Sequence, residues 1–357
     1  MKRHRQSTRG KRKAKSKSPA PKLGKKLAAT LKHLPHAALP RFVAPSLATL
    51  VAKLPDNKRW EHEIKFDGYR IQARLDYGEV KLMTRKGLDW TRKFPIVAKA
   101  VAKLHAKTAL IDGELVAHDN KGIPRFSLLQ QDLTAGRQNR MVLCAFDLMH
   151  LNGQDLKTLP LTARKAALAK LIRRSHDRHL RFSKSLHGRG PALLKQACKM
   201  GLEGIISKRA DAHYHAGRGR DWLKAKCSDR QELVVAGFAL SSVDAHAVGA
   251  LVLAFYRCGK LCYAGRTGTG FTYNAARTLF RRLNAHARKT SPFKPVPKEE
   301  SGRRKPIWVE PKMVVEVDFH GWTQGHRVRQ ASFQGERRDK SAKDVVREVK
   351  QQWPAGK

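Results

Sequence analysis

The sequence predicts an α+β fold in two units, a larger one of antiparallel sheets with flanking helices and a smaller C-terminal β-barrel. Three observations predict it. Between residues 60 and 228, strand-type alternation of apolar and polar residues is interrupted by three stretches with helical spacing. From residue 229 onward, short strands follow one another across Gly turns with one helix among them, which fits a small OB-type barrel. The chain has 357 residues and 41% hydrophobic composition, enough for two or three domains with a sizeable core.

Charge is the extreme feature of the composition. The chain carries 74 Lys and Arg against 29 Asp and Glu, a net charge of +45. Residues 1–55 hold 15 of the basic residues and no acid, so the remaining 302 residues still carry about +30. The folded body is itself basic, which points to a polyanionic partner, most simply nucleic acid. No apolar run approaches the ~20 residues that a membrane span needs, so no membrane partner is expected. The five cysteines are scattered without a CxxC pair or a zinc-type set, and they read as reduced thiols of an intracellular protein.

In chain order, residues 1–38 read as a basic, disordered tail suited to phosphate contacts. Residues 42–54 carry apolar positions at helical spacing and predict a short helix before Pro55. The run RWEHEIKFDGYRIQARLDYG then predicts two strands joined by a tight Asp67-Gly68 turn, with Lys65 at the end of the first. A strand over residues 79–87 and a helix over 94–105 follow. Next come strands around Asp112-Gly113-Glu114 and over 141–153, the latter apolar but for Asp147. Helices are predicted over 162–174 and 190–200, and strands over 202–209 and 215–227. The C-terminal unit holds four strand regions, a helix over 273–286 and a Lys/Pro/Ser-rich loop over 288–305. The boundaries so read are 1–38 for the tail, 39–228 for the larger unit and 229–357 for the barrel.

Lys65 is the residue with the clearest chemical meaning. Burying an ammonium is costly unless it is paired, but a lysine in its neutral form is a nucleophile. Lys224 and Lys226 alternate on one strand and so face one side. Two lysines aimed at one spot repel each other unless an anion lies there. Cations near Lys65 would favour its neutral form, and Lys224 and Lys226 are the candidates, along with a bound metal. Arg70 and Arg85 lie near strand ends, where guanidinium forks match phosphate oxygens. Glu114 and Glu203 are carboxylates on apolar strands and need partners if buried.

Seven segments occur in a recognisable order: KFDGYR, TRKG with LDWT, IDGEL, AFDLMHLNG, EGIISKR, WLKAKC and RQASFQGERRDK. With them the chain resembles the ATP-dependent DNA ligases of the covalent nucleotidyltransferase superfamily, closest to the ligase domain of bacterial end-joining ligases. The resemblance runs over residues 40–350. One departure is Lys86, where Asn is common. The resemblance implies a nucleotidyltransferase domain followed by an OB-fold domain, and ATP with Mg²⁺ or Mn²⁺ as cofactors. It implies that Lys65 attacks the α-phosphate of ATP, that Asp67 orients the amine, and that Arg70 and Arg85 bind ribose and phosphates. Glu114 would hold ribose or metal and Glu203 metal. Phe146 would stack on adenine, and Glu63 would lie near the adenine edge. Lys224 and Lys226 would hold the α-phosphate. Arg337 and Lys340, with Arg329 and Asp339 in the same motif, would orient the pyrophosphate leaving group. The implied partner is duplex DNA with nicks or ends, with a Ku-type end-binding protein as a further candidate. The enzyme would be a monomer of the bacterial cytoplasm, working on the nucleoid. An RNA ligase would lack the C-terminal barrel, and a capping enzyme would load GMP in place of AMP.

Overall fold

The computed structural model describes residues 33–302 and 305–352. Most of the basic tail, residues 1–32, lies outside the described residues.

The N-terminal half is built on two sheets. The first holds β1 (Ser46–Leu50), β2 (Trp60–Ile64), β9 (Gly204–Arg209) and β10 (Gly217–Lys226), in the order β1-β10-β9-β2. The second is centred on β3 (Tyr69–Asp76), β5 (Thr108–Ala117) and β6 (Met141–Leu151). It is extended by β4 (Glu79–Thr84), β7 (Gln154–Asp155) and β8 (Leu180–Phe182). All pairings are antiparallel except β1 with β10 and β8 with β6. β5 and β6 are buried along nearly their whole length, which explains their continuous apolar runs. The polar exceptions are neutralised. Asp112 on β5 takes a two-pronged bond from Arg70 (2.6 and 2.7 Å) and a third from the Tyr214 hydroxyl at 2.7 Å. Asp147 on β6 takes a two-pronged bond from Arg164 (2.7 and 3.0 Å), which ties the helix Leu161–Arg173 to the sheet. A buried charge is tolerated when it is paired and bonded in this way.

Two expectations are corrected here. Residues 42–54 contain a strand, β1, and no helix. Their apolar spacing suits a helix, but the chain pairs in parallel with β10, and Thr49 Oγ1 donates to Gly219 O at 2.8 Å. Tertiary pairing overrides the local pattern. The segment around Lys65 is likewise no hairpin. β2 and β3 belong to different sheets, and residues 65–68 cross between them. Gly68 is required at that crossing, because a Cβ there would lie 2.1 Å from Leu115 O. The helix Phe126–Thr134 was not anticipated. The helices Pro95–Ala102, Leu161–Arg173 and Gly190–Lys199 fall where the spacing placed them.

The C-terminal unit is a curved seven-stranded sheet around its own core. Its strands are β11 (Asp229–Leu240), β12 (Val248–Arg257), β13 (Lys260–Thr267), β14 (Ala287–Arg288), β15 (Ile307–Val309), β16 (Val314–Phe319) and β17 (Ser332–Arg337). β11 pairs with β12, β15 and β16 along its 12 residues, so it bends through the whole unit. A bridge between Thr269 and Ser332 brings the end of β13 to β17 and draws the sheet toward closure. The helix Tyr273–Asn284 buries Ala276, Leu279 and Leu283, one face of a helical repeat, and is capped by Thr272.

The cysteine expectation is also corrected. Cys198, near the end of the helix Gly190–Lys199, and Cys227, just after β10, form a disulfide across a Cα separation of 5.2 Å. That helix packs on β9, the strand paired with β10, and this brings the two together, a proximity that the 29-residue spacing does not reveal. Cys144, Cys258 and Cys262 are free.

Candidate active site

The two N-terminal sheets face each other across a cavity of about 200 Å³, and residues of the C-terminal sheet complete its wall. Twelve of the residues singled out from the sequence line this cavity: Glu63, Lys65, Asp67, Arg70, Arg85, Glu114, Phe146, Glu203, Lys224, Lys226, Arg337 and Lys340. Arg329 does not; it is exposed, and its N–H donates to Gly321 O.

Lys65 is positioned by main chain. β2 ends at Ile64, and the Lys65 N–H donates to Gly204 O at 2.9 Å. Its Nζ lies 2.5 Å from Glu203 Oε1. Burial alone lowers a lysine pKa, but the Glu203 carboxylate, with Glu114 and Glu316 behind it, outweighs that and raises the pKa of Lys65. The expectation that Lys224 and Lys226 hold Lys65 neutral is therefore not met. Glu203 is correspondingly held below the usual carboxylate range: burial pushes it up, but Lys65, Arg230 and Lys226 outweigh that.

Asp67 does not orient the amine. Its Oδ2 accepts from the Phe126 N–H at 3.0 Å and from Arg230 Nη1 at 2.7 Å. It is a junction between the crossing segment, a helix start and the C-terminal unit. Burial raises its pKa to about 6 despite Arg230. Glu114 is pushed up to about 8, chiefly by burial, against the opposing pull of Arg70 and Lys65.

The other wall is aromatic. Phe146 of β6 and Trp222 of β10 meet edge to face across the two sheets, with centroids 5.9 Å apart. The Arg70 guanidinium lies 4.6 Å from the Phe146 centroid, and Lys208 Nζ lies 4.2 Å from both rings. Glu63 is buried behind them. Its carboxylate accepts from Lys165 Nζ at 2.7 Å and Ser183 Oγ at 2.8 Å, and pairs with Lys208 at 2.9 Å. Those internal partners engage the carboxylate that was expected at the adenine edge. Burial, with Lys165 nearby, lowers Lys208 to about 8 against the pull of Glu63. Lys208 and Trp222 are site residues that sequence reasoning did not assign; their positions inside EGIISKR and WLKAKC were the available signal.

Four of the cations expected at the phosphates meet internal acids, and Arg85 does not. Lys224 and Lys226 face one side, as alternation requires, and share the Glu348 carboxylate at 2.5 and 3.0 Å. Lys340 pairs with Glu232, whose pKa falls to about 2: burial raises it, but Lys340 and Arg337 outweigh that. Arg337 forks onto Asp339 (3.0 and 2.9 Å) and reaches Glu316 at 3.3 Å. It also donates to Gly68 O at 3.0 Å, a direct bond from β17 to the crossing segment beside Lys65. Arg85 lines the cavity without an ion pair among the described residues. Glu232, Glu316 and Glu348 were not anticipated, because an acid that neutralises a distant cation leaves no local mark in the sequence.

Among the described residues there is no group of three or more acids, histidines or cysteines placed to hold a metal by themselves. Glu114 and Glu203 offer two oxygen donors to the cavity, and Glu203 is drawn off by Lys65. This suits a hard cation that takes one or two carboxylates and completes its shell with substrate phosphates and water.

Comparison with known proteins accounts for this arrangement. The family described as ATP dependent DNA ligase domain matches residues 40–226, and the ATP dependent DNA ligase C terminal region matches residues 244–340. The multifunctional non-homologous end joining protein LigD of Pseudomonas aeruginosa is 39% identical over 314 residues, 87% of this chain and 37% of that protein. The multifunctional non-homologous end joining DNA repair protein LigD of Mycobacterium tuberculosis is 35% identical over 310 residues, 86% of this chain and 40% of that protein. The chain thus spans about two fifths of the length of these curated relatives. A solved structure described as mycobacterial DNA ligase D complexed with ATP and MES superposes with a TM-score of 0.64 at 33% identity. It covers 86% of this chain and 98% of that one. The chain belongs to the ATP-dependent DNA ligases.

Proposed function

We propose that this ligase seals 5′-phosphate/3′-hydroxyl breaks in duplex DNA during bacterial end joining or nick repair, through a lysyl-AMP on Lys65. The observation that carries the reading is the placement of Lys65 in a cavity ringed by phosphate-type cations and closed over by β17. In the first step Lys65 Nζ, having lost its proton, bonds to the α-phosphorus of ATP; the bond to the bridging oxygen breaks and pyrophosphate leaves. Lys224 and Lys226 hold the α-phosphate oxygens, and Arg337 and Lys340 draw off the leaving group. Both pairs neutralise charge that develops in the transfer. In the second step an oxygen of the DNA 5′-phosphate displaces the Lys65 amine from AMP. In the third the 3′-hydroxyl attacks that phosphate and AMP departs.

Glu114 and Glu203 would hold Mg²⁺ or Mn²⁺, which when bound supplies charge neutralisation at the reacting phosphate. Glu203 would hold that ion with the carboxylate that pairs with Lys65. Arg70, Phe146 and Trp222 form the nucleoside wall, with Arg70 set by Asp112. Arg85 faces the phosphates. We place the domain boundaries at residues 39–228 and 229–357. The enzyme acts as a monomer on nucleoid DNA in the cytoplasm, with a Ku-type protein as candidate partner at double-strand ends.

The test is sealing by purified protein with ATP, comparing nicked, cohesive and blunt DNA with and without Ku. End joining stimulated by Ku supports the repair role. Nick sealing without any end joining confines the enzyme to nicks.

A further inference from the structure

Glu348 lies beyond the last matched segment, yet it reaches the centre of the site. Its two carboxylate oxygens bridge Lys224 and Lys226. The residues around it run as a strap between the two halves of the protein. On the C-terminal side, Val345 O accepts from the Tyr256 N–H at 2.7 Å. Gln231 brackets the strap, donating to Val346 O at 2.9 Å and accepting from the Glu348 N–H at 3.0 Å. On the N-terminal side, the Gln351 N–H donates to Leu50 O at 3.0 Å, and Gln351 O accepts from the Ala52 N–H at 3.1 Å. Val346 and Glu348 both line the cavity.

A carboxylate that bridges two ammonium groups with two oxygens has the bonding pattern of a phosphate held by its two non-bridging oxygens. Lys226 also donates to Arg230 O at 2.5 Å and so keeps a partner when the carboxylate leaves. Lys224 has Glu348 as its hydrogen-bond partner among the described residues. Two such anions cannot share this seat, since like charges at contact distance repel strongly.

We propose that segment 345–352 is an internal competitor of the nucleotide, with Glu348 filling the phosphate seat of the nucleotide-free enzyme and leaving it when a nucleotide phosphate enters. This rests on the reading that Lys224 and Lys226 hold the α-phosphate. The apparent ATP affinity is then reduced by the fraction of molecules in which the strap is seated. Return of the strap after sealing would also hasten AMP departure, because it occupies the seat that AMP vacates.

The experiment is calorimetric titration of the full chain with α,β-methylene-ATP, which cannot lose pyrophosphate. Glu348→Gln removes the charge with little change of shape. Gln351→Pro removes the N–H that ties the strap to Leu50 and leaves the carboxylate intact. Both variants are expected to bind the analogue more tightly, Glu348→Gln by roughly tenfold, the scale set by loss of one charge-assisted competing contact. Lys224→Ala, added to Glu348→Gln so that no competing carboxylate is lost with it, should bind more weakly than Glu348→Gln alone. If it does not, the phosphate-seat reading fails and the strap falls with it. If it does while Glu348→Gln and Gln351→Pro match the wild type, the seat stands and the strap is overturned. Weaker binding by Glu348→Gln would also overturn it, making Glu348 a group that positions the lysines for the nucleotide.

Discussion

Lys65 Nζ and Glu203 Oε1 lie 2.5 Å apart, so the lysine proposed as the nucleophile rests as an ion pair. Burial opposes this but loses to the carboxylate, and the folded pKa of Lys65 stands above its ordinary 10.5. A raised lysine pKa gives stability that is full below the ordinary value and lost as pH rises through the folded one. Glu203→Gln removes the main opponent of burial. The pKa of Lys65 should then fall. The pH dependence of Lys65 acylation, followed by peptide mass spectrometry, measures this. An unchanged titration would show that the pair does not set the state of the amine.

Glu114 offers a second pH test. Burial raises its pKa to about 8, so the folded protein holds a proton there that the unfolded chain releases near 4.5. Stability from this group is therefore lost as pH rises from the ordinary carboxylate value through 8. Glu114→Gln imitates the protonated form. It should stabilise the ligand-free protein at pH 9 by about 2 kcal/mol, discounted for the open cavity, and by almost nothing at pH 4. Denaturant midpoints at the two pH values measure the difference; equal effects at both would contradict the assignment.

Arg337 and Lys340 should separate the reaction steps. They reach the cavity from the C-terminal unit, where the proposed function has them meet the leaving group of ATP. Lys340→Ala should slow adenylation by ATP at least tenfold, about 1.4 kcal/mol of barrier, while sealing of a pre-adenylated nick changes much less. Arg337→Ala should do the same with some loss of stability, since Glu316 and Asp339 lose a buried partner. Equal damage to both assays would assign the pair to DNA or to the fold.

The tail carries a prediction from charge alone. Residues 1–26 hold 12 Lys and Arg and no acid. Their removal should weaken nick binding at low salt and flatten the dependence of log K on log salt, with lysyl-AMP formation unchanged. An unchanged salt slope would show that the tail does not touch DNA.

Much of this site was legible because its residues sit on strands whose alternation fixes their facing. Lys224 and Lys226 could be placed on one side from spacing alone, and they are. Long apolar strands such as β5 and β6 announced themselves, with Asp112 and Asp147 as marked exceptions. Pairing across distance was not legible. The strand β1 was read as a helix because its partner lies some 170 residues away, as in the Thr49 to Gly219 bond. The Asp67-Gly68 step was read as a hairpin because a turn and a crossing between sheets look alike locally. Glu348 answers Lys224 and Lys226 from the other half of the chain, a role that exists only once the two halves meet. Glu232 answers Lys340 across 108 residues within the C-terminal unit, which is equally invisible to local spacing.

The central claim is that Lys65 carries the nucleotide. Intact-protein mass spectrometry after incubation with ATP and Mg²⁺ tests it most directly, followed by peptide mapping. The wild type should gain one AMP, localised to Lys65 and removed by added pyrophosphate, and Lys65→Ala should gain none while keeping its fold by circular dichroism. A folded Lys65→Ala protein that still gains one AMP would contradict the account.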